Sequence, residues 1–326
     1  MSSLVEAFAP LLEGRPPVLR AYANSDAEGW VAGNLDTLRA AVLGHGSVVV
    51  RGLDVADAAQ AGRLAKLITG ELITERESFA PRTSYAPAVY SSSAWPANQP
   101  MCMHHELSYA QELPGTMVFA CLQAPTTGGE TAVADAAAVL ADLPPDIVSR
   151  FERDGWLLIR NYGETIGVPW QQAFGTDDPA EVEAYCRAND TEFEWTEAGL
   201  RTRQVRTAVA HHPVTGQRLW FNQIAFLNEL TMDPDVREYL AMVLGPDGLP
   251  FTTRYGDGEP IPAEVVDVIN EVYQRHTAST PWQRGDLMLV DNLRTAHSRQ
   301  PYEGDREIVV AMGDPVRRTD IRWSRS

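Results

Sequence analysis

Two groups of strand-like runs, held apart by a long charged middle, limit most strongly what this chain can fold into. The first group is Thr116 to Leu122 (TMVFACL) and Thr131 to Ala134 (TAVA). The second is Asp286 to Val290 (DLMLV) and Glu307 to Met312 (EIVVAM). Their apolar and β-branched character predicts core strands, and the Pro and paired Gly of APTTGG place a turn between the first two. From about Pro145 to Pro281 the chain alternates short helical and strand-like pieces and holds Trp156, Trp170, Trp195, Trp220 and Trp282, which read as core. Upstream, Gly44 to Asp54 predicts a short buried strand and turn, and Val55 to Thr69 a helix. Asp135 stands where it can cap a helix beginning in AAAVLADLP, which Leu143-Pro144-Pro145 ends. No repeat, low-complexity tract or composition break divides the chain. The expectation is a mainly β fold with α, residues 1–326 forming one domain with an insertion at about 145–281.

Composition narrows the function classes. With 44% hydrophobic and 22% charged residues among 326, the chain has material for a sizeable core. Its formal net charge is −17, a field that repels phosphate backbones and acidic membrane surfaces, so neither nucleic acid nor membrane is expected as a partner. Cys102, Cys121 and Cys186 are odd in number, widely spaced and without a CxxC, which points to a reducing compartment. The opening MSSLVEAFAPLLEG lacks a basic segment followed by a long apolar run, and no stretch approaches 18 consecutive apolar residues. The expected location is the cytoplasm.

The chemistry centres on Met103-His104-His105-Glu106-Leu107. On a strand, side chains alternate, so His104 and Glu106 project to one side while His105 points away. A third ligand from a second strand completes one face of an octahedron and leaves the other open, the geometry of nonheme iron oxygenases. Seven His and 44 carboxylates among 326 residues produce about one HxD/E by chance, so the triplet needs its context. That context is DLMLVDNLRTAHSRQPYEGDREIVVAM, Asp286 to Met312. A buried strand leads to a turn at Asp291-Asn292, then to His297, a loop, and Arg306 opening another strand. His297 is placed as the third ligand. Arg306 is placed to pair with a carboxylate bound beside the metal, its planar fork suiting that group. A thiolate ligand from Cys102 is disfavoured, because soft ligation would quench oxygen chemistry.

The chain resembles the taurine dioxygenase-like branch of the iron(II)/2-oxoglutarate oxygenases. Within it, the clavaminate synthase-like enzymes and the amino-acyl hydroxylases of nonribosomal peptide pathways are the most similar. The likeness spans about Gly44 to Pro315. It rests on HHELSYA, GGET followed by VAD, IRNYGE, HPVTGQRLWFNQ and LVDNLRTAHSRQPYEGDR. It implies a double-stranded β-helix (jelly-roll) core with helical flanks, the insertion covering the active site. It implies His104, Glu106 and His297 as ligands of Fe(II), and Arg306 and Thr131 as partners of the distal carboxylate of 2-oxoglutarate. It further implies a C–H hydroxylase in secondary metabolism, consuming O2 and releasing succinate and CO2. The substrate would be an amino acid, free or tethered to a carrier protein. Glu106 favours hydroxylation over halogenation, since halogenating relatives lack that carboxylate.

Two positions depart from the family pattern. His105 stands where similar chains often have Asn, and Arg306-Glu307 where many have two basic residues, with Arg299 as the fallback anchor. His105, Arg160 and Ser92 are candidate substrate contacts. For Arg160 a buried structural pair and a substrate-carboxylate anchor both stand open. His45, His211, His212 and His276 lack a carboxylate at ligand spacing and read as structural or solvent-facing. The competing outcomes are desaturation, cyclisation or epoxidation by the same chemistry, and, from another class, a non-catalytic metal-binding jelly-roll protein.

Overall fold

The strand groups at the two ends of the insertion become immediate neighbours in the computed structural model, which describes residues 12–23, 26–77, 79–80, 82–163, 167–245 and 247–324. Most of the opening segment read for a leader, and Glu164 of IRNYGE, lie outside the described residues. The central strand, Glu112–Gln123, pairs antiparallel with Leu287–Asp291 on one side and Glu307–Arg317 on the other. Leu289 faces Val118 in this register, and Val310 faces Phe119. Four shorter strands complete a seven-stranded sheet: Val18–Arg20 and Ser47–Arg51 on one flank, Val89–Ser91 and Ser84–Ala86 on the other.

Strand alternation gives this sheet two apolar faces with different duties. Val118, Ala120, Leu287, Leu289 and Val309 pack under helices Leu35–His45 and Ala58–Thr69, against Leu38, Leu64 and Ile68. Asp57 starts the second of these helices by accepting a hydrogen bond from Gln60 N at 2.7 Å. Met117, Phe119, Met288, Val290, Ile308 and Val310 project to the opposite side, into the larger core.

On that opposite side lies a two-stranded pair, Thr131–Asp135 with Thr295–Arg299, in which His297 faces Val133. Asp135 caps the following helix as expected, accepting from Ala137 N and Ala138 N, and Leu143 ends it before Pro144. The insertion builds its own four-stranded sheet, ordered Phe251–Tyr255, Trp156–Gly163, Gly199–Arg206, Glu192–Thr196. Trp156, Trp220 and Trp282 are core residues, as expected, and Trp170 is half-buried. Trp195 is not a core residue: it is 37% exposed at the outer strand of that sheet, where its indole N–H donates to Glu183 at the surface. The architecture is mixed β with helices. Among the described residues no helix is long and apolar enough to cross a membrane.

Candidate active site

His104 and His297 form an isolated antiparallel bridge. Each backbone N–H donates to the other's carbonyl, at 3.0 and 2.9 Å. Directly opposed residues of such a pair project to one face, which sets the two imidazoles side by side with centroids 4.4 Å apart. Glu106 returns to the same face two residues on, its Oε2 3.8 Å from His297 Nε2. One ligand-capable atom from each of the three lies within 4.8 Å of the others.

The expected strand at HxE is absent. After the bridge the chain enters a turn, with Leu107 at φ 51°. What replaces a second ladder rung is the side chain of Asn292, fully buried in the turn after Leu287–Asp291. Its Oδ1 accepts from Glu106 N at 2.8 Å, and its Nδ2 donates to Glu106 O at 3.0 Å and Pro114 O at 2.8 Å. One amide thus ties the ligand-bearing segment to the central strand. The turn itself is braced by Asp291, which accepts from Leu293 N and Arg294 N and from His212 Nε2 at 2.9 Å. His212 is therefore structural. Substituting Asn292 by Ala strands several buried backbone groups and is expected to cost about 3 kcal/mol. The denaturant midpoint should fall with an unchanged slope; a midpoint equal to that of the parent protein would rule out the bracket.

Protonation states suit metal binding. His104 Nδ1 lies 2.9 Å from the Cys102 carbonyl, which makes that nitrogen the donor and leaves Nε2 its lone pair. Burial holds the His104 pKa below the ordinary value, with Glu106 pulling the other way. Burial, reinforced by His104, His105 and Arg82, holds His297 well below it. Two neutral imidazoles and a carboxylate, with no fourth ligand group in the cluster among the described residues, form an open set rather than a closed structural site. Burial pushes the Cys102 thiol up to about 11, and Cys102 is not a member of the ligand-capable cluster. Phe226 stacks on His104 at 4.1 Å and 15°, and Phe119 meets His297 edge-on at 5.3 Å, giving both imidazoles apolar walls.

The cavity at this cluster is lined also by Thr131, Ser92, Arg299, Arg306 and Arg82. Arg306 donates from Nε to Gly129 O at 2.9 Å and from Nη1 to Ser92 Oγ at 3.3 Å. Burial, then the nearby Arg299, pushes its pKa down to about 10. Arg299 has spent its Nη groups on the carbonyls of Trp95, Pro96 and Gln99, so it pins the loop before His104. The fallback anchor is the less available of the two.

Two candidate substrate contacts lie elsewhere. His105 is fully buried on the far side of the segment, its ring nitrogens 2.7 Å from Asn292 O and 3.0 Å from Trp220 O. Burial pushes its pKa down to about 4. These contacts hold its ring away from the cavity that His104 and Glu106 line. Arg160 sits on the Trp156–Gly163 strand, donating to the Glu77 carbonyl with its guanidinium over the Tyr162 ring at 4.6 Å. It belongs to a buried polar network around Glu77, outside the cavity wall. Ser92 is on the wall, bound to Arg306.

Sequence reasoning missed Arg82, whose Nη2 donates to Glu106 Oε2 at 3.0 Å and whose Nε lies 3.7 Å from Glu75. Burial pushes the Glu75 carboxyl up to about 7, against the pull of Arg82. Asn292 was legible only as a turn residue, and Phe226 carried no signal at all.

Two imidazoles and one carboxylate in a cavity lined by guanidinium groups form a candidate site for a nonheme metal oxygenase. Residues 21–312 match the taurine catabolism dioxygenase TauD, TfdA family, and the chain belongs to that family. It is a nonheme iron(II)/2-oxoglutarate dioxygenase. The chain is 36% identical over 272 residues to the dapdiamide synthesis protein DdaC of Enterobacter agglomerans, covering 83% of each chain. It is 28% identical over 280 residues to a clavaminate synthase-like protein of Arabidopsis thaliana, covering 82% of this chain and 81% of that one. Among solved structures, PvcB of Pseudomonas aeruginosa has a TM-score of 0.55 at 15% identity, over 97% of this chain and 93% of that one. PvcB is described as an Fe, alpha-ketoglutarate dependent oxygenase from an isonitrile synthetic pathway.

Proposed function

We propose that this enzyme hydroxylates a C–H bond of an amino acid, free or carrier-tethered, in secondary metabolism, with succinate and CO2 as coproducts. The observation that carries the reading is one buried cavity holding His104, Glu106 and His297 together with Arg306 and Thr131. His104, Glu106 and His297 would hold the iron. Arg306 and Thr131 would hold the distal carboxylate of 2-oxoglutarate, which fits a mostly buried guanidinium with no ion-pair partner among the described residues. Bound iron with 2-oxoglutarate and O2 supplies the oxidising power for C–H cleavage.

The chain's own residues do the rest. The His104–Cys102 hydrogen bond fixes one tautomer, Asn292 fixes the Glu106 backbone, and Phe226 and Phe119 keep water from the imidazoles. The same reading takes residues 1–326 as one oxygenase domain with a jelly-roll core. The two-stranded pair faces the large sheet across the site, and the 145–281 insertion covers it. Three free cysteines fit a cytoplasmic setting. The likeness to a dapdiamide synthesis protein supports a place in secondary metabolism.

The test is aerobic turnover with iron(II), 2-oxoglutarate and a panel of free and carrier-tethered amino acids, read by succinate and product mass. Hydroxylation adds one oxygen for each succinate formed. Loss of two hydrogens instead would replace it with desaturation or ring closure, which the same site geometry permits. Failure of iron(II)-loaded protein to bind 2-oxoglutarate would sink the reading.

A further inference from the structure

The cavity holds a second buried guanidinium that the cosubstrate reading leaves unused. Arg82 lies in the loop between the Ala58–Thr69 helix and the Ser84–Ala86 strand, and its side chain is 5% exposed. Its Nη2 is taken by Glu106 and its Nε by Ser93 Oγ at 3.1 Å, but its Nη1 is buried with no hydrogen-bond partner. An unfilled donor on a buried cation is costly and calls for a ligand that completes it. Arg306 reaches Ser92, and Arg82 reaches the next residue, Ser93. Consecutive serines therefore link two guanidinium groups lining one cavity, with the His104, Glu106 and His297 cluster among the same walls. Two guanidinium groups lining one cavity suit a ligand with two acidic ends, one for each cation.

We propose that Arg82 is the second cosubstrate anchor, its Nη1 donating to the carboxylate that flanks the keto group of 2-oxoglutarate. This rests on the function proposed above, in which Arg306 takes the distal carboxylate. Glu106, 3.0 Å from Nη2, and Glu75, 3.7 Å from Nε, hold the other edges of the guanidinium and leave Nη1 for the ligand. Ser93 then holds the guanidinium in plane while Nη1 serves the ligand.

The experiment is anaerobic calorimetry on the full chain loaded with Mn(II). It compares 2-oxoglutarate with 2-oxopentanoate, which keeps the keto acid end and lacks the distal carboxylate. Arg82→Met should weaken both ligands by the same factor, about 30-fold or more, as expected on truncating one member of a buried charge pair. Arg306→Ala should weaken 2-oxoglutarate and leave 2-oxopentanoate nearly unchanged. Arg82→Lys, which keeps the charge and loses the fork, should fall between parent and Met for both ligands; it also serves if the Met variant fails to fold. Unchanged affinity of Arg82→Met for 2-oxoglutarate would overturn the proposal. So would a loss confined to Mn(II) binding, which would reduce Arg82 to a support for Glu106. If the parent protein itself binds neither 2-oxo acid, the failure lies with the proposed function instead.

Discussion

Replacing His297 by alanine is expected to abolish iron(II)-dependent formation of succinate, by more than the ~100-fold that loss of a supporting outer partner produces. The size follows from the count of ligands. Among the described residues the cluster has three groups, so losing one leaves a His and a carboxylate two residues apart, with no other ligand group to close the face. The fold should survive. The bridge to His104 is made by backbone N–H and carbonyl groups, which alanine keeps, and the Thr295–Arg299 strand retains its pairing with Thr131–Asp135. The variant should also lose no hydrogen bond at His297 Nδ1, which has no partner in the parent. Iron(II) binding by calorimetry and the circular dichroism spectrum, taken together, check this. Full succinate formation in a folded His297→Ala protein would remove His297 from the metal site. His105→Ala makes an informative contrast, because it should damage packing around Trp220 and Asn292 and spare the ligand set.

The parts of the site that local patterning encodes were legible in the sequence. Core strands announce themselves by apolar and β-branched runs, and Thr116 to Leu122 and Asp286 to Val290 pair as neighbours in the central sheet. Alternation correctly separates His105 from His104 and Glu106, even though the segment is a bridge and a turn rather than a strand. The parts that long-range side-chain bonds create were not legible. Asn292 lies 186 positions from Glu106, and no spacing rule connects a turn amide to a distant backbone. Arg82 lies 24 positions before Glu106 in a loop without periodicity, and its role appears only when the guanidinium is seen beside the carboxylate. Arg160 shows the same limit from the other side. Its apolar neighbours foretold burial, but only the Glu77 carbonyl tells which buried partner it has.

Arg306 brings the second large effect, and its origin is the cost of keeping a cation out of water. Among the described residues no carboxylate forms an ion pair with it; its hydrogen bonds go to a carbonyl and a hydroxyl, and Tyr302 lies beneath it at 5.6 Å. Burial and Arg299 push its pKa down to about 10. A bound carboxylate supplies an ion-pair partner, so cosubstrate affinity should depend steeply on this side chain. Arg306→Ala is expected to raise the 2-oxoglutarate KM by about 30-fold or more, the range for truncating a buried, hydrogen-bonded charge pair. At saturating 2-oxoglutarate, kcat should recover most of its parent value, because the distal carboxylate is held equally before and during the reaction. Arg306→Lys should fall between the two, since an ammonium keeps the charge but not the fork. Arg299→Ala should behave differently: it frees the Trp95, Pro96 and Gln99 carbonyls and lowers stability, with a smaller change in KM. Steady-state kinetics over a wide 2-oxoglutarate range separates these outcomes. A larger KM effect from Arg299 than from Arg306 would transfer the anchor role to Arg299.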